Sequence, residues 1–265
     1  MNAVSPSQTD LRFTHEPGDA GRVRLLLRSG EPLFYAAWER ALMMHFEVDA
    51  GALQRDVPYE LDLWNGRAFV SLVAFTMRDM RPRVGGKWAA MLFRPIATHD
   101  FLNVRTYVRH GERGIHFLAE WLSSWLAVIL GPPVFGLPYR QGKICYQHDW
   151  HAKAMRGSVI DARGRGQLVY RAEIGRPVEF LPCASGSRAE WLMERYTAFN
   201  SAGGLKRFFR VWHPPWPQTE ADAAFEEMSL LTNRWSWFHN ARFVGANFSP
   251  GFDTVWMSRP HRVKT

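Results

Sequence analysis

The stretch "DFLNVRTYV", residues 100–108, decides how the chain is read. Side chains of a β-strand alternate between its two faces. Leu102, Val104, Thr106 and Val108 share one face, which is ordinary strand core, and Phe101, Asn103, Arg105 and Tyr107 share the other. An amide, a guanidinium and two aromatic rings on one face suit either bulk water or a pocket wall. The alternation alone leaves both open.

Working outward, "LMMHFEV" (42–48) alternates too, with Leu42, Met44, Phe46 and Val48 on one side and Met43, His45 and Glu47 on the other. His45 therefore points either to solvent or into a lined cavity. Asp49 is placed to cap a short helix, "AGALQRD", that stops before Pro58. "YELDLWNGRAFVSLVAFTM" (59–77) has the outline of a hairpin turning at Asn65-Gly66. Its second arm, from Ala68 to Met77, is apolar on both faces, as a central strand is. The basic loop "RDMRPRVGGK" follows, with Arg78, Arg81 and Arg83 close together. A guanidinium grips a carboxylate through two hydrogen bonds, so this loop is expected at a cavity mouth.

Beyond the opening strand and the turn "HGERG", the pattern of "EWLSSWLAVIL" (120–130) predicts a helix with Leu122, Trp125, Leu126 and Ile129 on one stripe, ended by Gly131 and two prolines. "GLPYRQGKICYQHDW" (136–150) resumes as a strand, and "GSVIDARGRGQLVYRAEIG" (157–175) reads as a hairpin. Ser187 with Glu190 forms a capping box for a helix from Arg188 to about Asn200, with Trp191, Leu192, Tyr196 and Phe199 on its apolar face. "RFFRVWHPPWPQ" (207–218) is a strand closed by prolines. The tail is expected to hold one helix near 220–232 and then irregular, aromatic-rich segments. Residues 1–31 are polar and read as a loose arm, and residues 32–265 as a single domain with an aromatic-rich C-terminal extension.

The 265 residues are 46% hydrophobic with 12 Trp and 18 Phe, enough for a large core, and the Gly and Pro content favours a β-rich protein. The net charge of +8 comes from 28 Arg against five Lys. Such an excess permits polyanion binding, but the arginines are spread along the chain, so no specific nucleic-acid partner is expected. No apolar run approaches the length of a membrane span, so no membrane partner is expected either. The first residues lack a basic segment followed by an apolar one, which reads as cytoplasmic.

Cys145 and Cys183 are isolated and form neither a disulfide framework nor a C-x-x-C site. Phosphate-cradling, zinc-protease, nucleophile-elbow and dinucleotide motifs are all absent. "HDWH" sets His148 and His151 around Asp149, but in a turn beyond a strand. No metal and no cofactor are expected. Lys143, in "QGKICY", starts an apolar strand. It is either a lysine of lowered pKa able to attack a carbonyl or a snorkelling edge residue.

Taken together, "LMMHFEVD", "LDLWNGRAFVSLVAFTMRDMRPR", "FLNVRTYV", "FGLPYRQGKI" and "ERYTAF" leading to "HPPWP" resemble the bacterial YqjF-like family of unknown function, grouped with the acetoacetate-decarboxylase-like superfamily. The resemblance covers roughly residues 38–217. It implies a mainly β (α+β) fold: a mostly antiparallel, cone-shaped β-barrel with a few covering helices and a central cavity. Asn103, Arg105 and Tyr107 would then line the cavity, with Leu102, Val104 and Val108 under the outer helices.

The decarboxylases of this superfamily use a Schiff-base lysine beside a second lysine, directly after a proline. Here "LPYRQGK" puts Tyr139 and Arg140 in those places, with Lys143 four residues on. Many YqjF-like relatives carry Arg there, which favours a charge role. Phe101 stands where relatives commonly have Glu, and Trp121 falls near an expected acidic residue, leaving Glu120 as the substitute. The resulting expectation is a cavity for a small acidic or aromatic molecule, bound by His45, Arg81, Asn103, Arg105, Tyr107, Tyr139 and Arg140, with Asn103 and Arg105 close to Lys143. The alternative is a decarboxylase-, aldolase- or hydratase-like lyase acting on a small keto acid through Lys143, with Glu120 as the acid–base group.

Overall fold

A computed structural model describes Leu25 and residues 31–263 other than 153, 176 and 177. The loose-arm expectation for 1–31 therefore lies outside the described residues, save that Leu25 is buried and that the Glu31 carboxylate accepts from the Arg259 backbone N–H at 3.0 Å.

In chain order the elements are β1 (Phe34–Val48), α1 (Ala50–Asp56), β2 (Glu60–Leu61), β3 (Ala68–Pro82), α2 (Gly86–Ala97), β4 (His99–His110), β5 (Glu112–Leu122) and α3 (Trp125–Phe135). There follow β6 (Tyr139–Asp149), β7 (Ala154–Asp161), β8 (Gln167–Ile174), α4 (Arg188–Met193), β9 (Thr197–Ala202) and β10 (Leu205–Trp212). The last are β11 (Thr219–Glu227), α5 (Ser229–Thr232), β12 (Arg242–Met257) and β13 (His261–Arg262).

All the strands join one sheet, and the sheet closes on itself twice. One closed path runs β5-β6-β7-β8-β11-β12-β1-β3-β4 and back to β5. The other leaves β5 through β9 and β10, meets β12, and returns along the same β12-β1-β3-β4 run. Five strands are thus shared, and each shared strand has one face in each ring. Pairing is antiparallel except where β5 meets β6 and β9.

The first ring is filled. Leu42, Met44 and Phe46 of β1, Leu72 of β3 and Leu102 and Val104 of β4 meet Val159, Leu168 and Tyr170 from β7 and β8 in one buried cluster. The Leu102 face therefore packs mainly inside a strand ring, with Leu53 of α1 and Leu230 and Leu231 of α5 joining the same cluster. The opposite face of the same strands, with Met43, Val73, Phe75 and Phe101, looks into the second ring.

Several local readings change in the three-dimensional context. Trp121 and Leu122 belong to β5, held by Leu102 and Phe101 of β4, and the helix after them starts later. Ser124 Oγ caps α3 by accepting from the Ala127 N–H, and α3 runs through Pro132 and Pro133 to a left-handed Gly136. Ser187 caps α4 as its capping box predicts, but that helix stops at Met193. The residues beyond it form β9, which gains a parallel edge on β5. The expected tail helix is mostly β11, and the expected irregular segment is β12, the longest strand among the described residues. Its Gly251 has φ +101°, and a Cβ there would lie 1.8 Å from the Trp38 carbonyl oxygen, so the crossing with β1 requires glycine. Asn65-Gly66 does make the tight turn, but β2 pairs with β4, not with β3. Helix α2 has no counterpart in the sequence reading.

Candidate ligand cavity

The second ring is hollow. It encloses a cavity of about 380 Å³, walled by strands on its sides and roofed by α2 and α3 through Phe93, Ile96, Leu130 and Val134. Its wall is mostly apolar. Phe75 and Phe101 stack at 5.1 Å between centroids, and Trp38 stacks on Trp216 at 6.0 Å.

A small polar group interrupts this wall. Asn103 and Arg105 reach it from β4, Glu120 from β5 and Tyr139 from β6. Glu120 arrives there because of a bulge. Val104 pairs with Ala119 but Arg105 pairs with Phe117, so Leu118 is an extra residue in β5. The bulge switches which face each residue takes: Ile115 and Phe117 line the cavity before it, Glu120 after it, and Trp121 turns to the filled ring. Asn103 consequently stands directly opposite Glu120.

These side chains are buried and incompletely paired. Asn103 Oδ1, Arg105 Nε and Glu120 Oε2 have no hydrogen-bond partner. Arg105 donates from Nη2 to the Leu192 carbonyl at 3.3 Å and contacts no carboxylate within 4.0 Å among the described residues. Burial holds the Glu120 carboxyl well above the ordinary carboxylate range, favouring the protonated acid. The Tyr139 phenol is pushed up by burial and by Glu120.

At the cavity edge, His99 leaves both ring nitrogens without a hydrogen bond of good geometry. Burial lowers its pKa to about 4, partly opposed by the nearby Ile96 backbone. His213 is also lowered to about 4 by burial and bonds the Pro214 carbonyl at 2.7 Å. Arg195 is committed elsewhere, to Asp62 at 2.8 Å, with its guanidinium over the Trp191 ring. Glu194 accepts from the Tyr196 hydroxyl and from the Trp216 N–H.

Of the residues singled out from sequence, Asn103, Arg105, Glu120 and Tyr139 come together here. Lys143 does not. β6 pairs with β5 only over Tyr139–Gln141 and turns to β7 from Gly142, which leaves Lys143 exposed on the outer surface. The expected nearness of Asn103 and Arg105 to Lys143 is thus corrected, and no lysine among the described residues lines the cavity. Arg140 points away from Tyr139 toward Asp161, Arg165 and Arg234. Arg81 bonds the Asp79 carbonyl and lies over Tyr35, so Met80, not the basic side chains, supplies the cavity wall from this segment.

Tyr107 and His45 belong to a separate buried chain. The Tyr107 hydroxyl meets Ser71 Oγ at 2.5 Å, and Ser71 meets His45 Nδ1 at 2.7 Å. His45 Nε2 meets Asn247 Oδ1 at 3.2 Å, and Asn247 donates to Gln218 Oε1. Burial, reinforced by Arg105, lowers the His45 pKa to about 3. His45 borders a second, polar and more open pocket of about 700 Å³, but its ring nitrogens are both engaged. His148, read as part of a turn, is instead buried between the Arg40 carbonyl and the Tyr170 hydroxyl, at 2.8 Å from each. His99, Tyr196, His213 and Trp216 were missed. The last three lie within or next to "ERYTAF" and "HPPWP", whose irregular composition gives no hint that it folds back on the cavity.

The family model for DUF2071, described as an uncharacterized conserved protein, matches residues 35–243. The chain belongs to the DUF2071 family. The chain is also 28% identical over 207 residues to the uncharacterized protein YqjF of Bacillus subtilis (strain 168), covering 74% of this chain and 77% of that one. Solved structures with the same fold include the acetoacetate decarboxylase of Legionella pneumophila, with TM-score 0.59, 14% identity and 87% of each chain covered. The acetoacetate decarboxylase-like enzyme of Sphingomonas wittichii RW1 aligns with TM-score 0.58 and 15% identity, over 88% of this chain and 94% of that one. The enduracididine biosynthesis enzyme MppR complexed with pyruvate aligns with TM-score 0.57 and 12% identity, over 88% and 91%. This DUF2071 chain therefore has the acetoacetate decarboxylase-like fold. At these identities the likeness extends to the fold alone.

Proposed function

We propose that the cavity binds a small, largely apolar carboxylic acid. The carboxylate lies against Arg105 and Asn103, and the protonated Glu120 donates a hydrogen bond to it. One observation carries this reading: a guanidinium without an ion-pair partner sits in a mostly apolar cavity, two residues along the same strand face from Asn103, which faces Glu120. Buried polar atoms without partners are costly, and a bound acid would supply what they lack. A protonated Glu120 leaves the Arg105 charge available to the ligand. The volume suits a ligand somewhat larger than pyruvate, with the aromatic wall covering its apolar part. That MppR has been seen complexed with pyruvate is consistent with a carboxylate site in this fold.

A lyase acting through Lys143 finds no support in the geometry, since that amine stands on the outer surface. The test is calorimetric titration with phenylpyruvate, octanoate and their amides. The acids should bind and the amides should not, and Arg105→Gln should weaken acid binding by about 10- to 100-fold, the worth of a buried charge-assisted hydrogen bond. Equal binding of acid and amide would overturn the reading.

A further inference from the structure

We propose that α2 and α3 dock the protein on an anionic lipid surface, with the cavity mouth turned toward the lipid. The docking rests on the helices themselves. That the lipid delivers the ligand rests on the reading above of an apolar acid.

Helix α2 buries none of its residues, although it carries Trp88, Met91, Leu92 and Phe93. Trp88 is 76% exposed and Leu92 78%. On α3, Trp125, Ile129 and Leu130 are exposed as well. Single exposed apolar residues are ordinary, but a contiguous apolar face on two adjacent helices marks an interaction surface. The inner faces of the same helices line the cavity, and Leu130 and Val134 do both: they line it and reach the surface. The mouth therefore opens among the exposed apolar residues.

Charge says what meets this face. Residues 123–138 contain no ionisable side chain. Residues 78–97 contain Arg78, Arg81, Arg83, Lys87 and Arg94 against the single carboxylate of Asp79. Arg78 is held by Glu39 at 2.8 Å, whereas Arg83, Lys87 and Arg94 have no ion-pair partner among the described residues. Meeting a second copy across a twofold axis would set this cationic rim against itself. A bilayer with anionic headgroups instead matches both parts, burying the tryptophans and leucines at the interface and pairing the cations with phosphates. No helix among the described residues is long and apolar enough to cross a membrane. Here α2 and α3 would lie on the surface, so the absence of a span, from which the sequence reading expected no membrane partner, does not bear on docking.

The experiment is flotation of the full chain with vesicles of phosphatidylcholine alone or mixed equally with phosphatidylglycerol, with light scattering for mass in solution and octanoate titration as a separate readout of the cavity. The wild type should float with the anionic vesicles, much less with the neutral ones, and be released by salt. Trp88→Ser combined with Leu92→Ser should cut flotation about tenfold or more, and Arg83→Ala combined with Lys87→Ala severalfold, without loss of thermal stability. Absence of flotation with anionic vesicles, or undiminished flotation of the Trp88/Leu92 variant, would overturn the proposal. So would a solution dimer that the Trp88/Leu92 variant dissolves, which would assign the face to a second copy. Octanoate binding that persists without flotation refutes docking and leaves the ligand reading standing; flotation without octanoate binding does the reverse.

Discussion

The shared strands present two opposite solutions on their two faces. On one, Leu42, Met44, Leu72, Leu102 and Val104 are fully buried in a filled ring. On the other, one residue away in each case, Val73, Phe101, Asn103 and Arg105 line empty space, with Met43 packed against Arg105. Because the pleat separates neighbouring residues so cleanly, density and hollowness coexist in the same few strands. The filled face stabilises the fold by burying apolar area, and the hollow face leaves polar atoms unpaired at a cost of about 1–3 kcal/mol each. Stability and binding are thus divided by parity along the strand and not by separate segments of chain.

The comparison can be broken first with acid. His148 sits in the filled ring, His99 and His213 sit on the cavity wall, and all three have pKa values lowered to about 4, with His45 lowered to about 3. A folded-state pKa below the unfolded one means that stability is intact above about pH 6.5 and falls as pH drops toward the folded values. At pH 5 each such histidine costs about 2 kcal/mol, so urea melts at pH 7 and pH 5 should differ by several kcal/mol. His99→Phe should remove part of that sensitivity without loss at pH 7. His148→Phe should cost stability even at pH 7, since it strands the Arg40 carbonyl and the Tyr170 hydroxyl. Equal behaviour of the two variants would erase the contrast between the faces.

Glu120 supplies the next largest effect, with the opposite sign. Its folded pKa is raised by burial, so its contribution is intact below the unfolded value and is lost as pH rises toward the folded one. At neutral pH the wild type already carries much of that penalty. Glu120→Gln should therefore raise stability at pH 7 while weakening acid binding, as expected where a site is kept at the expense of stability. Unchanged stability would mean that burial does not raise the Glu120 pKa.

The smallest effect is the most direct. Val104 and Val73 lie on neighbouring strands and opposite faces. Val104→Ala empties filled space and should cost about 2 kcal/mol, whereas Val73→Ala only enlarges an existing cavity and should cost less than about 1 kcal/mol. Denaturant midpoints of the pair measure the difference.

Much of this arrangement is legible locally. The alternation of 42–48 and 100–108, the doubly apolar β3, the hairpin of β7 and β8, and the Asp49 cap, which accepts from the Ala52 N–H at 2.7 Å, all need only neighbours in sequence. What escaped depends on distant partners. β9 and β12 read as helix and irregular chain until β5 and β1 supply their edges. α2 lacks a side-chain cap, begins after Gly85 and contains Pro95, so none of the usual start and stop signals mark it. In the site, Asn103 and Arg105 follow from the two-residue period. Glu120 reaches the cavity only through the Leu118 bulge, and Lys143 leaves it only because β6 changes partner. Neither event is visible to a pattern that assumes regular strands.

β12 has one more consequence, for the order of events as the chain is made. It pairs with β1, β10 and β11 and belongs to both rings, and the His45–Asn247 bond across it joins residues 202 apart in sequence. Neither ring can close before residues 242–257 have left the ribosome. Until then the long edge of β1 has unsatisfied N–H and C=O groups and a row of apolar side chains, the surface most prone to pair with another nascent chain. Such distant closure makes folding slow as well, so this protein should depend on chaperones that shield open strand edges during synthesis.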